Sequence, residues 1–145
     1  MNKNMCPDAI ANITGENVKN PCGQIKFYQK KNCVIVSVNI KGLPQSEQGF
    51  FGFHIHEGDT CSGDGFSGTG SHYNPKGLPH PEHAGDLPPL MLCNGDAYQT
   101  FTTDRFCVAD IIGKTVVIHL MPDDFNSQPA GNAGTKIACG VIRKT

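Results

Sequence analysis

The sequence predicts an all-β protein, an antiparallel sandwich or barrel, and three observations carry that prediction. Apolar residues recur with a period of two rather than 3.6 in most informative windows. No stretch of ten or more residues shows an amphipathic helical stripe. Glycine and proline, at 17 and 10 of 145 residues, punctuate many short segments, as in folds made of strands and turns.

The first strand is "AIANI", followed by the polar stretch "TGENVKNP", residues 14–21, which reads as a hairpin connection. "GQIKFYQ" sets Ile25 and Phe27 against Gln24, Lys26 and Tyr28, and "CVIVSVNI" sets Val34, Val36, Val38 and Ile40 against Ile35, Ser37 and Asn39. In "GFHIHE" neighbours two apart share a face, so His54 and His56 point together while Phe53 and Ile55 point into the core. "AYQTFTTDRF" (97–106), "KTVVIHL" (114–120) and "KIACGVI" (136–142) complete the strands. Residues 57–92 and 122–135 are long, rich in Gly and Pro, and not strand-like. Loops beyond ~12–15 residues in a compact domain are usually functional or disordered. The histidines and acids of the first loop favour a metal-organised one, because metal bonds order a chain that buries little apolar surface.

The length suits one domain spanning residues 1–145. A net charge of −1 offers no broad field for nucleic acid or an anionic membrane, so neither is an expected partner. Any attraction for an anion must be local. No apolar run approaches the ~20 residues that span a bilayer. The start "MNKNMCPDAIANITG" has no apolar signal region, which predicts a cytoplasmic protein unless an exporting segment precedes it. Seven cysteines leave at least one unpaired within the chain, and the absence of CxxC argues against a zinc ribbon or a thioredoxin-like site.

The six histidines concentrate the chemistry. His72, His80, His83 and Asp86 form an H-x7-H-x2-H-x2-D run on the first loop, and imidazole with carboxylate at short, irregular spacing suits tetrahedral zinc. His54, His56 and His119 sit on strand-like segments with rigid backbones. Three or four imidazoles so held suit copper, which favours nitrogen ligands and tetragonal geometry. A histidine pair on a strand is more often a satisfied polar pair than a ligand set; the six histidines together outweigh that reading.

With these residues in place, the chain resembles the copper/zinc superoxide dismutase family from about Ala9 to Ile142. The matching pieces are "GFHIHE", "GSHYNP", "HAGDLPPL", "IIGKTVVIH", "PDD" and "GNAGTKIACGVI", in the family's order. The resemblance implies an eight-stranded Greek-key barrel with two long functional loops. It implies copper on His54, His56, His72 and His119, and zinc on His72, His80, His83 and Asp86, with His72 bridging. Asp123 would accept hydrogen bonds from His54 and His80, Asp124 fitting that role less well, and Cys61 would pair with Cys139. Cys6 and Cys22 would not pair, and Cys33, Cys93 and Cys107 would be free thiols. The implied reaction is dismutation of superoxide to oxygen and hydrogen peroxide, with copper as the redox centre and His72 carrying a proton.

The chain departs from the family pattern in several places. Lys136 stands three residues before Cys139, where the family usually has the arginine that binds and steers the anion. It keeps the charge but loses the two-pronged donor. Ala130 stands where a threonine commonly narrows the copper mouth, and residues 125–135 are shorter and less charged than the usual electrostatic loop. The spacing of His80 and His83 is compressed relative to many animal forms. The family's contacts, here Gly113 and the last strand near Ile142, imply a homodimer, although the residue many dimers carry after Glu57 is missing. A copper chaperone is a further candidate partner. Two rival readings are a non-enzymatic copper/zinc-binding protein on the same fold and a cupin-type metal site. The second expects a glutamate a few residues beyond the H-x-H, and here Glu57 follows His56 directly.

Overall fold

A computed structural model describes residues 5–16 and 19–145. The seven strand-like segments form one curled antiparallel sheet. Its strands are β1 (Ala9–Gly15), β2 (Cys22–Gln29), β3 (Val34–Lys41), β5 (Phe53–His56), β7 (Ala97–Thr103), β8 (Thr115–His119) and β9 (Lys136–Lys144), in the order β5-β8-β9-β1-β2-β3-β7. Two short strands, β4 (Phe50–Phe51) and β6 (Leu90–Met91), pair with each other. Only Gly52 separates β4 from β5, so the two act as one strand broken at a glycine. Counted so, the barrel has the eight strands of the Greek-key expectation. Part of the hairpin connection at 14–21, residues 17 and 18, lies outside the described residues.

The period-two pattern becomes burial directly. Ala9, Ala11, Ile13, Ile25, Phe27, Val34, Val36, Val38, Ile40, Phe53, Ile55, Val116, Ile118, Ala138 and Ile142 line the interior at 0–1% exposure. Each large apolar side chain so buried contributes about 1.5–3 kcal/mol. The alternation is plain on β3, whose inward residues oppose those of β2 and β7 in an unbroken register from Val34 to Ile40.

Three local features differ from the sequence expectation. β7 stops at Thr103 rather than Phe106, because the chain turns there to enter a one-turn helix, α1 (Val108–Ile111), where the Cys107 N–H donates to Asp110 Oδ2 (2.9 Å). β6 lies inside the segment read as loop. Residues Asp64–Thr69 of that segment form a 3-10 turn kinked at Gly65 and Phe66, whose φ is positive, with Phe66 buried on Val117 and Cys139. A two-residue strand or a single helical turn is too short to repeat a face.

The Cys61–Cys139 disulfide ties this turn to β9 across 78 positions. Cys6, Cys22, Cys33, Cys93 and Cys107 are free. Closing a loop of that length contributes about 4–5 kcal/mol in the chain-entropy model. Cys61→Ser or Cys139→Ser is therefore expected to lower metal-free stability by about that amount. Urea unfolding of variant and wild type checks it; a loss below about 1 kcal/mol would contradict the entropic account.

Candidate metal centre

Backbone pairing brings the loop to the strands. The Ile55 N–H donates to Gly85 O and the Tyr73 N–H to Ile55 O, both at 2.8 Å, so residues 71–86 dock along the free edge of β5. The isolated bridges His54↔Asp86 and His56↔His72 seat two loop ligands beside the two strand histidines. β8 pairs with β5 on the other side, and the His119 N–H donates to Gly52 O (2.8 Å). A Cβ at Gly52 would meet those of His119 and Ala133, so the break in the β4–β5 strand is what lets His119 approach.

All six histidines are buried, at 0–6% exposure. Two quartets result, His54, His56, His72 and His119, and His72, His80, His83 and Asp86, each with its ligand atoms within 4.8 Å of one another. His72 belongs to both.

The rings are oriented from behind. His56 Nδ1 lies 2.8 Å from Gly70 O and His119 Nδ1 lies 3.1 Å from Gly134 O. Carbonyls only accept, so these nitrogens carry the protons. His54 Nε2 lies 2.7 Å from Asp123 Oδ2 and His80 Nε2 lies 2.8 Å from Asp123 Oδ1, one carboxylate serving one ring of each quartet. Burial alone would raise the Asp123 carboxyl, but the bonds from His54, His80 and the Phe125 N–H outweigh it and hold it far below the usual range. Asp86 behaves alike, burial being outweighed by His72 and the neighbouring imidazoles. Gly131 passes over the Asp123 bridge with φ +68°, where a Cβ would run into Asp123 Oδ1 and His80 Nε2. Asp124 points elsewhere, and its carboxylate accepts from the Asn126 and Ser127 N–H groups at 2.9 and 2.8 Å, closing a turn.

The donor set fits two cations. With their outer nitrogens protonated, His56 and His119 face each other through Nε2 lone pairs 3.3 Å apart. His54 Nδ1, His72 Nε2 and His80 Nδ1 are buried with no hydrogen-bond partner. His80 Nδ1 stands 3.1 Å from Asp86 Oδ2, acceptor against acceptor. Buried lone pairs converging without protons are costly unless a cation sits between them. The first quartet offers four imidazoles, suited to copper; the second offers three imidazoles and a carboxylate, suited to zinc. Burial keeps four of the rings unprotonated and ready to ligate, lowering His54 and His83 and holding His56 at about 2 and His119 at about 3.

Beside the first quartet opens a cavity of about 480 Å³, lined among others by His56, His119, Pro129, Ala130, Ala133 and Lys136. Lys136 Nζ donates to Thr69 Oγ1 (2.7 Å) and Gly70 O (3.3 Å), and partial burial lowers its pKa. Several supporting residues were not legible in the sequence. Arg105 Nη1 donates to Pro81 O (2.7 Å) and His83 O (3.1 Å), and Gln128 clasps the backbone of His80 through both ends of its amide. Their partners are carbonyls and N–H groups, which every residue carries, so no spacing marks them. The glycines at 70, 131 and 134 are visible as glycines, but nothing local says which carbonyl meets a ring.

A family model described as copper/zinc superoxide dismutase (SODC) matches residues 22–142. The chain is similar to superoxide dismutase [Cu-Zn] 2 of Aquifex aeolicus (strain VF5), 35% identical over 92% of this chain and 84% of that protein. Superoxide dismutase [Cu-Zn] 1 of the same organism is 33% identical over 92% and 85%. Superoxide dismutase [Cu-Zn] 3 of Arabidopsis thaliana is 36% identical over 92% and 88%.

Two outcomes follow from the geometry. In the unfolded chain an imidazole titrates near 6.5, whereas folded His119 titrates near 3. Between those values the unfolded chain binds more protons, so metal-free stability is full above 6.5 and falls as acid is added. Urea midpoints at pH 7.5 and 5 should show the drop, and equal midpoints would contradict it. Asp123→Asn would turn an amide N–H toward one ring N–H. It should weaken both metals by about 10–100-fold, read by competition with chelators, whereas loss of one metal alone would refute a shared role.

Proposed function

The chain belongs to the copper/zinc superoxide dismutase family, and we propose that it converts two superoxide anions and two protons into dioxygen and hydrogen peroxide at the paired quartets. The carrying observation is His72, whose two ring nitrogens face different donor sets, Nδ1 beside Asp86 Oδ1 (2.8 Å) and Nε2 without a protein partner toward the first quartet. Copper held by the first quartet would supply the one-electron chemistry that zinc on the second lacks.

This chain's residues do the rest. During turnover His72 would take up a proton at Nε2 and pass it to the peroxide product, while its Nδ1 side stays anchored among His83 and Asp86. His54, His56 and His119 keep their orientation throughout, because their outer nitrogens are locked on Asp123, Gly70 O and Gly134 O. Lys136 draws the anion into the cavity with a point charge. Pro129, Ala130 and Ala133 give that cavity apolar surface beside Lys136.

The same reading carries a homodimer, a copper-delivering chaperone and a cytoplasmic setting as proposals. The Gly113 and Ile142 N–H groups are both spent within the chain, on Ile142 O and Lys114 O. A dimer contact there would rest on side chains such as the exposed Ile112.

Pulse-radiolysis turnover of protein loaded with one copper and one zinc is the test, with His119→Ala alongside. Fast turnover is expected, reduced at least about 100-fold by the substitution. It should depend only weakly on salt, since the net charge is −1 and Lys136 acts at short range. No turnover with both metals bound would leave a metal-holding barrel, the non-enzymatic alternative.

A further inference from the structure

We propose that Thr69 is a positioning residue for the anion site: its hydroxyl holds the Lys136 ammonium at the cavity mouth and so sets how tightly a small anion binds there. The proposal rests on the reading of Lys136 as the anion-attracting group. Thr69 ends the 3-10 turn and has no exposed surface. Its Oγ1 donates to Phe66 O (2.8 Å), which fixes the hydroxyl proton and leaves a lone pair for Lys136 Nζ (2.7 Å). The other partner of Nζ is Gly70 O (3.3 Å), the carbonyl that also receives the His56 Nδ1 proton (2.8 Å).

The donor inventory shows why a lysine needs this hydroxyl. An ammonium has three N–H donors. Thr69 and Gly70 take two, leaving one for the cavity. A guanidinium presents five donors in a rigid fork, so it can rest one edge on backbone carbonyls and offer the other to an anion. Lysine at 136 lacks the fork, and a flexible four-carbon stem positions its charge only where an acceptor captures it. The capture point is itself rigid. Phe66 is packed on Val117 and Cys139, the disulfide closes behind it, and the Gly65 N–H donates to Glu16 Oε1 (2.8 Å). Thr69 thus transmits the position of the disulfide-tied turn to the ammonium.

Azide is the probe, titrated into copper- and zinc-loaded protein and followed by the copper absorption band. Thr69→Val should weaken azide about tenfold, the order of one hydrogen bond to a charged group, and slow dismutation in parallel. Both metals and the disulfide should be retained. Thr69→Ser should restore wild-type binding, and Thr69→Ala is the second hydroxyl-free variant should valine disturb the turn. In the Lys136→Arg background the same Thr69→Val change should cost less than about twofold, because the fork no longer depends on the hydroxyl. Equal losses in both backgrounds, no loss in either, or serine behaving like valine would each overturn the proposal. Wild-type protein that binds azide but does not dismute superoxide would refute the dismutase reading instead, leaving the azide series to decide the role of Thr69.

Discussion

One ionised carboxylate holds the polar interior together. Asp123 is almost wholly buried, and a buried charge is tolerated only when hydrogen-bonded on every side. It takes His54 from β5, His80 from the first long loop and the Phe125 N–H from the second. Three segments far apart in the chain therefore meet at one side chain. The two quartets cannot be oriented independently, because a rotation of Asp123 would turn a ring in each. Gly131 closes over the bridge where any side chain would collide with it.

The barrel supplies what the loops lack. Its interior is a continuous apolar cluster running from Ala9 to Ile142, which sets β5 and β8 side by side with little freedom. The long loops bury few apolar groups, and their order comes from hydrogen bonds and one covalent link. These are backbone pairing to β5, Arg105 on the carbonyls near His83, Gln128 around His80, and the disulfide. That division of labour suits a metal centre. Three ligands of the first quartet ride on strands or their ends, while the ligands added by the second all ride on a loop that a cation can draw together.

The same division explains what could be read beforehand. Seven strands were visible, most of them because one buried face imposes a period of two. β5 and β8 are buried on both faces and read as short runs rich in apolar and β-branched residues and histidine. β4, β6 and α1 were not visible, being too short to repeat their period. The metal ligands were visible because histidines are few, six in the chain, and chemically distinct, and their spacing to one another and to Asp86 survives in the sequence. The Thr69 hydroxyl, the carbonyls of Gly70 and Gly134, and the contacts of Arg105 and Gln128 left no such trace.

By itself, the sequence determined the all-β class, the inward faces, the ligand types and, through family resemblance, their grouping around His72 and the Cys61–Cys139 pair. The tertiary structure decided which nitrogen of His54, His56, His80 and His119 is held from behind and which faces the centre. It also decided how Lys136 is anchored. Those outcomes depend on backbone carbonyls and hydroxyls brought together from opposite parts of the chain. A linear pattern records which groups are present, whereas hydrogen-bond direction exists only once the fold has placed donor and acceptor within reach.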